Sequence, residues 1–481
     1  MPLFGTRGAA SVTGFGGLAK LGYLLRNSLR FRASNSNYLN RTFTTPTNNK
    51  IWTWSGWVKR GDLGTWRGVF AGGNTGGAMT KAEFYTDDNL YLITWNGSSN
   101  VSVLQTTQVF RDPSAWYHLL FVYDISNATA NNRQRMYVNG QEVTAFASRT
   151  NFNTTDTSYW NNASYSQEIG KSYQTQTTTS KYFDGYLTEV NFVDGQALTP
   201  SSFGKTDPAT GQWIPIKYSG TYGTNGFYLP FTNTTSTSTL GNDFSGNSNT
   251  WTVNNFSLTA GVTYDSMTDV PTNTSETAAN YCVINSTTLQ PTGWGVAGVV
   301  SNGNQTLYVA SAATDGPAYG TIALPRSGKW YWEVIITDST VPGAVGISES
   351  SMARPDGTGP ICRMLYSGGG TVVSKASDGT NLTGSYTFFG NATLGIACDM
   401  DNGAIYFAVN GAYVNSGVPT SGASKTGAIF TDLLTASPGG GSWLPMSYGY
   451  LGHVHNHNYG QRPFAESIPS GYKTLNTFNL P

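Results

Sequence analysis

One β-hairpin pattern occurs twice in this sequence, once in each half. The first copy spans residues 119–143 and contains Asn139–Gly140, and the second spans residues 394–414 and contains Asn410–Gly411. In both copies an apolar segment ends at an aspartate, and a second apolar segment follows. Asn-Gly between apolar segments is the strongest local indication of a tight hairpin, because both residues tolerate positive φ. The repetition predicts two domains of one architecture.

The composition favours strands over helices. Aromatic residues make up 13% of the chain and charged residues 11%, against a usual charged share of about 25%. Abundant Gly, Asn, Ser and Thr suit short strands joined by tight turns. The aromatic content argues against disorder, because such a chain can bury a core. We therefore predict an all-β protein with two antiparallel β-sandwich domains.

Basic residues are concentrated near the start of the chain. Nine of them precede Asp62, the first acid, although the whole chain is neutral. The first five are Arg7, Lys20, Arg26, Arg30 and Arg32. Residues 1–30 are also rich in glycine, so they cannot order themselves by burying apolar surface. We expect residues 1–30 to form a basic arm that orders on an acidic surface of a larger assembly; a flexible tail is the alternative.

The cysteines and one histidine are expected to be structural. Cys282, Cys362 and Cys398 lack metal-ligand spacing, and nothing in the sequence selects a disulfide among them. This pattern indicates assembly in a reducing compartment. His118 lies between Tyr117 and Leu119 in a strand pattern, where a packed histidine is expected.

Several motifs resemble two families of β-sandwich. Four of them resemble the laminin-G/pentraxin branch of the concanavalin A-like domains: Trp57-Val-Lys, Trp116-Tyr-His-Leu-Leu-Phe-Val-Tyr-Asp, Tyr137-Val-Asn-Gly and Phe183-Asp-Gly-Tyr-Leu-Thr-Glu-Val. Three others resemble a SPRY domain: Lys329-Trp-Tyr-Trp-Glu-Val, Leu394-Gly-Ile-Ala-Cys-Asp and Tyr459-Gly-Gln-Arg-Pro-Phe. The resemblance implies a jelly-roll, concanavalin A-like sandwich over residues 31–205, a turn-rich connector over 206–275 and a SPRY-like sandwich over 276–481.

This order of domains is similar to that of fibres and appendages of tailed-phage virions. The resemblance implies a virion structural protein, made in the host cytoplasm, that is attached by its N-terminal arm. Its partners would be other virion proteins and host-surface polysaccharide, and a homotrimer is favoured. A bacterial surface or secreted carbohydrate-binding adhesin is the alternative, and a glycan depolymerase is the second alternative.

Aromatic side chains in a weakly charged loop suggest where a glycan would bind. Tyr159, Trp160, Tyr165 and Tyr173 lie in the Asn/Thr/Ser-rich segment 151–180. Aromatic rings can stack on the apolar faces of sugars while amides and hydroxyls bond to sugar hydroxyls. Ordinary packing of these rings is the alternative interpretation.

The sequence argues against enzyme activity and against nucleic-acid binding or membrane insertion. A retaining glucanase needs two carboxylates about 5 Å apart, and the corresponding motif is absent; Glu189 and Asp194 are expected on opposite faces of a strand. Asp184 and Asp194 each precede glycine and are expected to form turns rather than to bind calcium. The basic arm has few aromatics for base stacking, and no apolar segment is long enough to cross a membrane.

No cofactor is expected, with one alternative at a row of histidines. His453, His455 and His457 alternate along a predicted strand, which places their rings on one face roughly 7 Å apart. Three copies of this strand around a trimer axis would supply six nitrogens for an octahedral transition metal. A row of solvent-facing histidines is the competing interpretation, because the SPRY-like pattern places this strand in a closed sandwich.

Overall fold

The fold is all-β and consists of two antiparallel sandwiches. The computed structural model describes residues 23–174, 177–288, 298–309, 316–337, 343–349, 362–368, 371–376, 381–386, 392–435, 442–449 and 452–481. Within these residues the helices are short 3-10 turns at Ala33–Asn35, Ala130–Asn132, Pro200–Ser202, Thr237–Gly241, Ser286–Thr288, Val414–Ser416 and Pro419–Ser424. The prediction of two antiparallel β-sandwiches is therefore confirmed.

The first sandwich is built from two eight-stranded sheets. Across sheet 1 the strands are Gln141–Glu142, Gln134–Val138, Trp116–Asp124, Ile51–Arg60, Gly185–Asp194, Ser28–Phe31 and Ser266–Met267, and Phe227–Leu229 also pairs with Gly185–Asp194. Across sheet 2 they are Phe146–Thr150, Asn100–Val109, Asn89–Trp95, Met79–Phe84, Arg67–Gly73, Ser166–Ile169, Tyr38–Thr42 and Thr252–Asn254. Two small ribbons are added, one of Lys171–Tyr173 with Ser180–Tyr182 and one of Gly204–Thr206 with Trp213–Pro215.

The second sandwich has a seven-stranded and a six-stranded sheet. Sheet 3 runs Gly298–Ser301, Thr306–Val309, Val454–Asn458, Lys329–Thr337, Ala392–Asp399, Ala404–Val409 and Ala412–Tyr413. Sheet 4 runs Gly316–Tyr319, Leu444–Gly449, Gly343–Ser348, Cys362–Gly368, Thr371–Ala376 and Asn381–Tyr386. The core of the second sandwich contains Trp330, Trp332, Ile396 and Phe407, and Cys398 packs among them as a free thiol.

Two of the predicted domain boundaries differ from those in the structure. The segment 206–275 contributes three strands to the sheets of the first sandwich, where Phe227–Leu229 pairs in sheet 1 and Thr252–Asn254 in sheet 2. It is therefore part of that sandwich and not a connector. The predicted arm also ends too late, because Ser28–Phe31 is already a buried strand of sheet 1; residues 1–22 lie outside the described part of the chain.

The repeated hairpin has the same structure in both halves. Asn139 and Gly140 have φ of 48° and 80°, and Asn410 and Gly411 have φ of 46° and 79°, as a two-residue turn with positive φ at both positions requires. The Asn139 side chain accepts a hydrogen bond from the main-chain N–H of His118 at 2.8 Å, and Asn410 does the same with Thr393 at 2.9 Å. The hairpin prediction is confirmed, including its repetition.

The other turn of each hairpin is also duplicated. The Asn127 amide donates to the carboxylate of Asp124 at 2.8 Å, and the Asn402 amide donates to that of Asp399 at 2.9 Å. An aspartate at the end of a strand favours this kind of local hydrogen bond, because its short side chain reaches the turn that follows.

A linker, residues 268–288, joins the sandwiches and is fixed to the first by a buried ion pair. The Lys59 ammonium lies 2.7 Å from the Asp269 carboxylate, and both side chains have no exposed surface. Lys59 also donates to the Asn280 side chain and to the Tyr281 carbonyl. The Trp116 indole N–H donates to the same carboxylate at 3.0 Å. All donors of the ammonium are therefore used within the linker.

A turn of the second sandwich docks directly on the first. The main-chain N–H groups of Asn302 and Gly303 donate to the Asp184 carboxylate at 3.0 and 2.7 Å. The Tyr186 hydroxyl donates to the Gly303 carbonyl at 2.6 Å. Gly303 has φ of +68°, and a Cβ there would lie 2.7 Å from the Tyr186 ring, so this contact requires glycine.

Candidate functional site

A cleft of about 1200 Å³ lies between the two sandwiches beside the linker. The first sandwich contributes Trp57, Trp116 and Trp213 to its lining. The remaining lining is mainly amide and hydroxyl side chains, which include Gln141, Gln212, Asn273, Asn285, Thr321 and Thr477. Aromatic surface and neutral polar groups thus converge at the junction of the domains.

Trp213 is the half-buried tryptophan of this set, and two glycines make room for its ring. A Cβ at Gly140 would lie 2.6 Å from the indole, and a Cβ at Gly204 would lie 2.4 Å from it. Gly204 belongs to the strand that pairs with Trp213–Pro215, while Gly140 is the turn glycine of the first hairpin. The hairpin turn and the small ribbon together hold the indole at the wall of the cleft.

A hydrogen-bonded chain fixes the orientation of Trp213. Its indole N–H donates to Nδ1 of His118 at 3.0 Å, and Nε2 of His118 lies 2.8 Å from the Ser55 hydroxyl. Because indole is a donor only, Nδ1 must accept, so the ring proton is on Nε2 and points to Ser55. Burial lowers the pKa of His118 to about 3, which keeps the ring neutral. The predicted structural role of His118 therefore includes positioning Trp213.

The lining of the cleft offers neutral hydrogen-bonding groups and few charges. Among the described residues that line it, Asp112 is the one acid, so the pair of carboxylates used by glycosidases is missing there. The side chains of Gln141 and Gln212 make no hydrogen bond within the described residues, and each amide offers both donors and an acceptor. Such a surface can exchange hydrogen bonds with a neutral polar ligand.

The aromatic residues predicted for glycan binding do not form one site. Trp160 has no exposed surface and packs in the core, 4.4 Å from the Phe70 ring. This prediction is wrong for Trp160, because a buried ring cannot stack on a ligand. Tyr159 and Tyr165 are half-buried neighbours whose rings are 5.4 Å apart. The Tyr173 hydroxyl is bonded to Lys171 and Glu168, away from that pair.

The predicted turn-forming aspartates are saturated by hydrogen bonds. Asp184 accepts from Ala33 in addition to the docking turn. Asp194 accepts main-chain N–H groups of Thr47, Asn48 and Asn225 and the amide of Asn161. These hydrogen bonds give both carboxylates a structural role, and the expectation that they do not bind calcium stays a prediction. Glu189 is bonded instead to the Tyr228 hydroxyl at 2.6 Å, so it forms no pair with Asp194.

The histidine row faces the interior of the second sandwich. His453, His455 and His457 are all buried. Nδ1 of His453 lies 3.2 Å from Nε2 of His455, and His457 contacts the Ser447 hydroxyl of sheet 4 at 2.8 Å. The rings share one face as predicted, but they cannot reach a trimer axis or solvent, so neither interpretation of the row holds. Within the described residues, no group of three or more His, Cys, Asp or Glu is arranged to hold a metal ion.

The basic residues predicted to attach the chain to a particle differ in their surroundings. Arg7 and Lys20 lie outside the described residues, and Arg26 is exposed. Arg30 and Arg32 are buried and paired with Asp265, at 3.2 and 2.8 Å. The attachment prediction is wrong for these two, because their charge is already neutralised inside the fold.

The three cleft tryptophans were missed as a site by sequence reasoning. Trp57 and Trp116 belong to the family motifs, and Trp213 lies in the turn-rich segment 206–275. No signal in the sequence distinguishes it from Trp251 of the same segment, which is buried in the core.

One family model matches part of the first sandwich. Residues 33–202 match the family model of the concanavalin A-like lectin/glucanase superfamily. A search among curated proteins returned no match. In the described part of the chain, no helix has the length and apolar character needed to cross a membrane.

Several solved structures resemble the chain at low sequence identity. A heptameric SAP-like pentraxin from Limulus polyphemus is 16% identical, with a TM-score of 0.27 over 37% of this chain and 80% of that one. The SPRY domain of human HERC1 is 17% identical, with a TM-score of 0.26 over 35% of this chain and 96% of that one. Domains LG4-5 of the mouse laminin α1 chain are 10% identical, with a TM-score of 0.30 over 97% and 99% of the two chains.

The buried His118 predicts a pH dependence of stability. Its pKa of about 3 is below the ordinary 6.5, so the unfolded chain binds the proton more readily than the folded protein. The free energy of unfolding therefore falls as the pH decreases from about 6.5 towards 3. His118→Gln should flatten this slope by up to about 1.4 kcal/mol per pH unit, measured by urea unfolding at several pH values.

The matched control is His457→Gln. Burial also lowers the pKa of His457 to about 3, so this variant gives the size of the change expected from one buried histidine outside the cleft. A pH slope of His118→Gln identical to that of the unmodified protein would show that His118 is not held neutral.

Proposed function

We propose that the protein is a non-catalytic carbohydrate-binding protein whose interdomain cleft takes a neutral oligosaccharide. The observation that carries this proposal is the Trp213 indole, held at the wall of a cleft lined by uncharged amides and hydroxyls. The match of residues 33–202 to the concanavalin A-like lectin/glucanase superfamily supports the carbohydrate-binding part of the proposal, since lectins and glucanases both bind carbohydrate.

The cleft and a neutral oligosaccharide have complementary surfaces. A pyranose ring has an apolar face that can stack on an indole, and its hydroxyls both donate and accept hydrogen bonds, as amides do. The volume of about 1200 Å³ exceeds that needed for one sugar, so several linked residues fit. The rim includes exposed Arg111 and Asp112, whose opposite charges give no net preference for an ionic ligand.

The biological setting we propose is the virion of a tailed phage. The support is the resemblance in domain order, a laminin-G-like domain followed by a SPRY-like one, together with residues 1–22, which contain Arg7 and Lys20 and no acid. In this setting the chain is a fibre or surface appendage, assembled as a homotrimer with other virion proteins, and its cleft binds host-surface polysaccharide. A bacterial surface adhesin is the second candidate, because the same cleft would serve it equally.

The cleft generates the first functional prediction. A glycan array identifies the neutral oligosaccharide that binds. Trp213→Ala should weaken this binding by about tenfold, because the substitution removes the stacking surface. Isothermal titration gives the dissociation constants, and thermal unfolding confirms that the variant is folded.

Trp66→Ala is the matched control for Trp213→Ala. Trp66 is also half-buried, but it packs on Tyr85 at 4.5 Å, outside the cleft. Unchanged affinity of Trp213→Ala together with lost affinity of Trp66→Ala would move the site to the outer face of sheet 2. An array without any bound glycan would contradict the proposed function.

The virion setting has its own test. Deleting residues 1–22 leaves Ser28–Phe31 and its ion pairs intact, so the protein should fold and keep its saccharide affinity but fail to enter particles. Incorporation is measured by complementing a phage that lacks the gene and blotting purified virions. Truncated protein present in virions at the normal level would show that these residues do not attach it.

A further inference from the structure

A second interdomain opening lies on another side of the linker. This pocket has a volume of about 430 Å³ and is lined by Tyr264, Tyr281, Arg462, Phe464, Tyr472 and Lys473, among others. Its walls come from the end of the first sandwich, the linker and the C-terminal segment of the second. Unlike the tryptophan cleft, it combines aromatic rings with two cationic side chains.

Arg462 differs from every other buried arginine in the described residues. Five arginines are buried. Four have a carboxylate partner within 3.2 Å: Arg30 and Arg32 with Asp265, Arg60 with Asp88, and Arg363 with Asp432. Arg462 is 3% exposed and has no carboxylate within ion-pair distance in the described part of the chain.

The hydrogen bonds of Arg462 are also incomplete. One Nη2–H donates to the His457 carbonyl at 3.3 Å, and Nε has no partner. The nearby Glu333 carboxylate is occupied by the main-chain N–H groups of Ala465 and Glu466 and by the Tyr331 hydroxyl. It cannot turn to the guanidinium without breaking these bonds.

The electrostatic surroundings of this guanidinium are unfavourable. Burial, and after it the positive charge of Arg30, lower the pKa of Arg462 to about 9, and the negative charge of Glu333 opposes this shift only in part. A buried charge without a partner costs several kcal/mol. Arg462 lines the pocket, and an anion of the right shape bound there would supply the carboxylate that this arginine lacks.

We propose that this pocket binds the carboxylate of an acidic sugar residue, with Arg462 as the anion-binding group. The inference rests on the proposed carbohydrate-binding function and extends it to a second site with a different ligand class. A guanidinium pairs with a carboxylate through two parallel N–H···O bonds. Lys473 at the rim adds positive charge that favours the same ligand.

The rest of the pocket fits a sugar acid better than an inorganic anion. The Tyr281 hydroxyl already donates to the Glu276 carbonyl, and the Tyr472 hydroxyl donates to the Pro419 carbonyl. Both rings are buried, so the apolar surface on which a pyranose can stack comes from the half-buried rings of Tyr264 and Phe464. The exposed Glu276 at the rim disfavours anions of higher charge such as phosphate.

The first experiment uses the unmodified full-length protein. Titration with D-galacturonate, D-glucuronate and N-acetylneuraminate should show binding of at least one acid by ligand-observed NMR. Its methyl ester, which keeps the ring and removes the charge, should bind at least about tenfold more weakly, as expected when charge-assisted hydrogen bonds are lost. Binding of acetate alone would identify a carboxylate site that does not recognise sugar and would overturn the sugar assignment.

Variants then assign the binding to Arg462. Arg462→Gln should bind the acid at least about tenfold more weakly than the unmodified protein does. Its melting temperature should stay equal or rise, because an unpaired buried charge has been removed. Lys205→Gln, which removes one charge from an exposed position, is the matched control and should bind normally. Equal affinity of Arg462→Gln and the unmodified protein would overturn the inference, and so would an acid and a methyl ester that bind alike.

The two proposals fail in different ways. Trp213→Ala should leave the affinity for the sugar acid unchanged, and Arg462→Gln should leave the affinity for the neutral oligosaccharide unchanged. Binding of the neutral oligosaccharide without binding of any acid would overturn this inference alone. Absence of both kinds of binding would overturn the proposed function and this inference together.

Discussion

The ion pair between Lys59 and Asp269 is the contact on which the arrangement of the two sandwiches depends. Both charges are completely buried, and the ammonium is also bonded to Asn280 and Tyr281 of the linker. Removing one partner of such a pair usually costs about 3–5 kcal/mol, because the other charge is left buried alone. The pair therefore fixes the path of the linker over sheet 1, and the docking of Gly303 on Tyr186 closes the interface from the second side.

Both proposed sites follow from this fixed linker. The tryptophan cleft includes Trp116, whose indole N–H is bonded to Asp269, while the smaller pocket includes Tyr281, whose carbonyl is bonded to Lys59. The two openings differ in charge because different parts of the second sandwich complete them. Neutral Asn and Thr side chains complete the cleft, whereas Arg462 and Lys473 complete the pocket. One interface can thus present a subsite for neutral sugars and a subsite for an anionic sugar to a single polysaccharide.

The sequence predicted those features that depend on neighbouring residues. The two hairpins were found because Asn139–Gly140 and Asn410–Gly411 need only their own positive φ. Pairing between distant segments was not predictable in this way, so the three-residue strand Phe227–Leu229 was taken for part of a connector. The orientation of aromatic rings was equally unpredictable from the sequence. The Asn/Thr/Ser-rich composition of its segment led to the prediction that Trp160 binds glycan at the surface, yet the ring is buried. The position of Trp213 at the cleft depends partly on Gly140, which is distant from it in sequence.

A crystal structure of the complex with a bound neutral oligosaccharide tests the central claim, that saccharide binds at the interface created by the docked sandwiches. We expect a sugar ring stacked on the Trp213 indole and sugar hydroxyls bonded to Gln141 or Gln212, with the Lys59–Asp269 pair unchanged. Saccharide located only on one sandwich, for example beside Trp66 on sheet 2 with an empty cleft, would contradict the account.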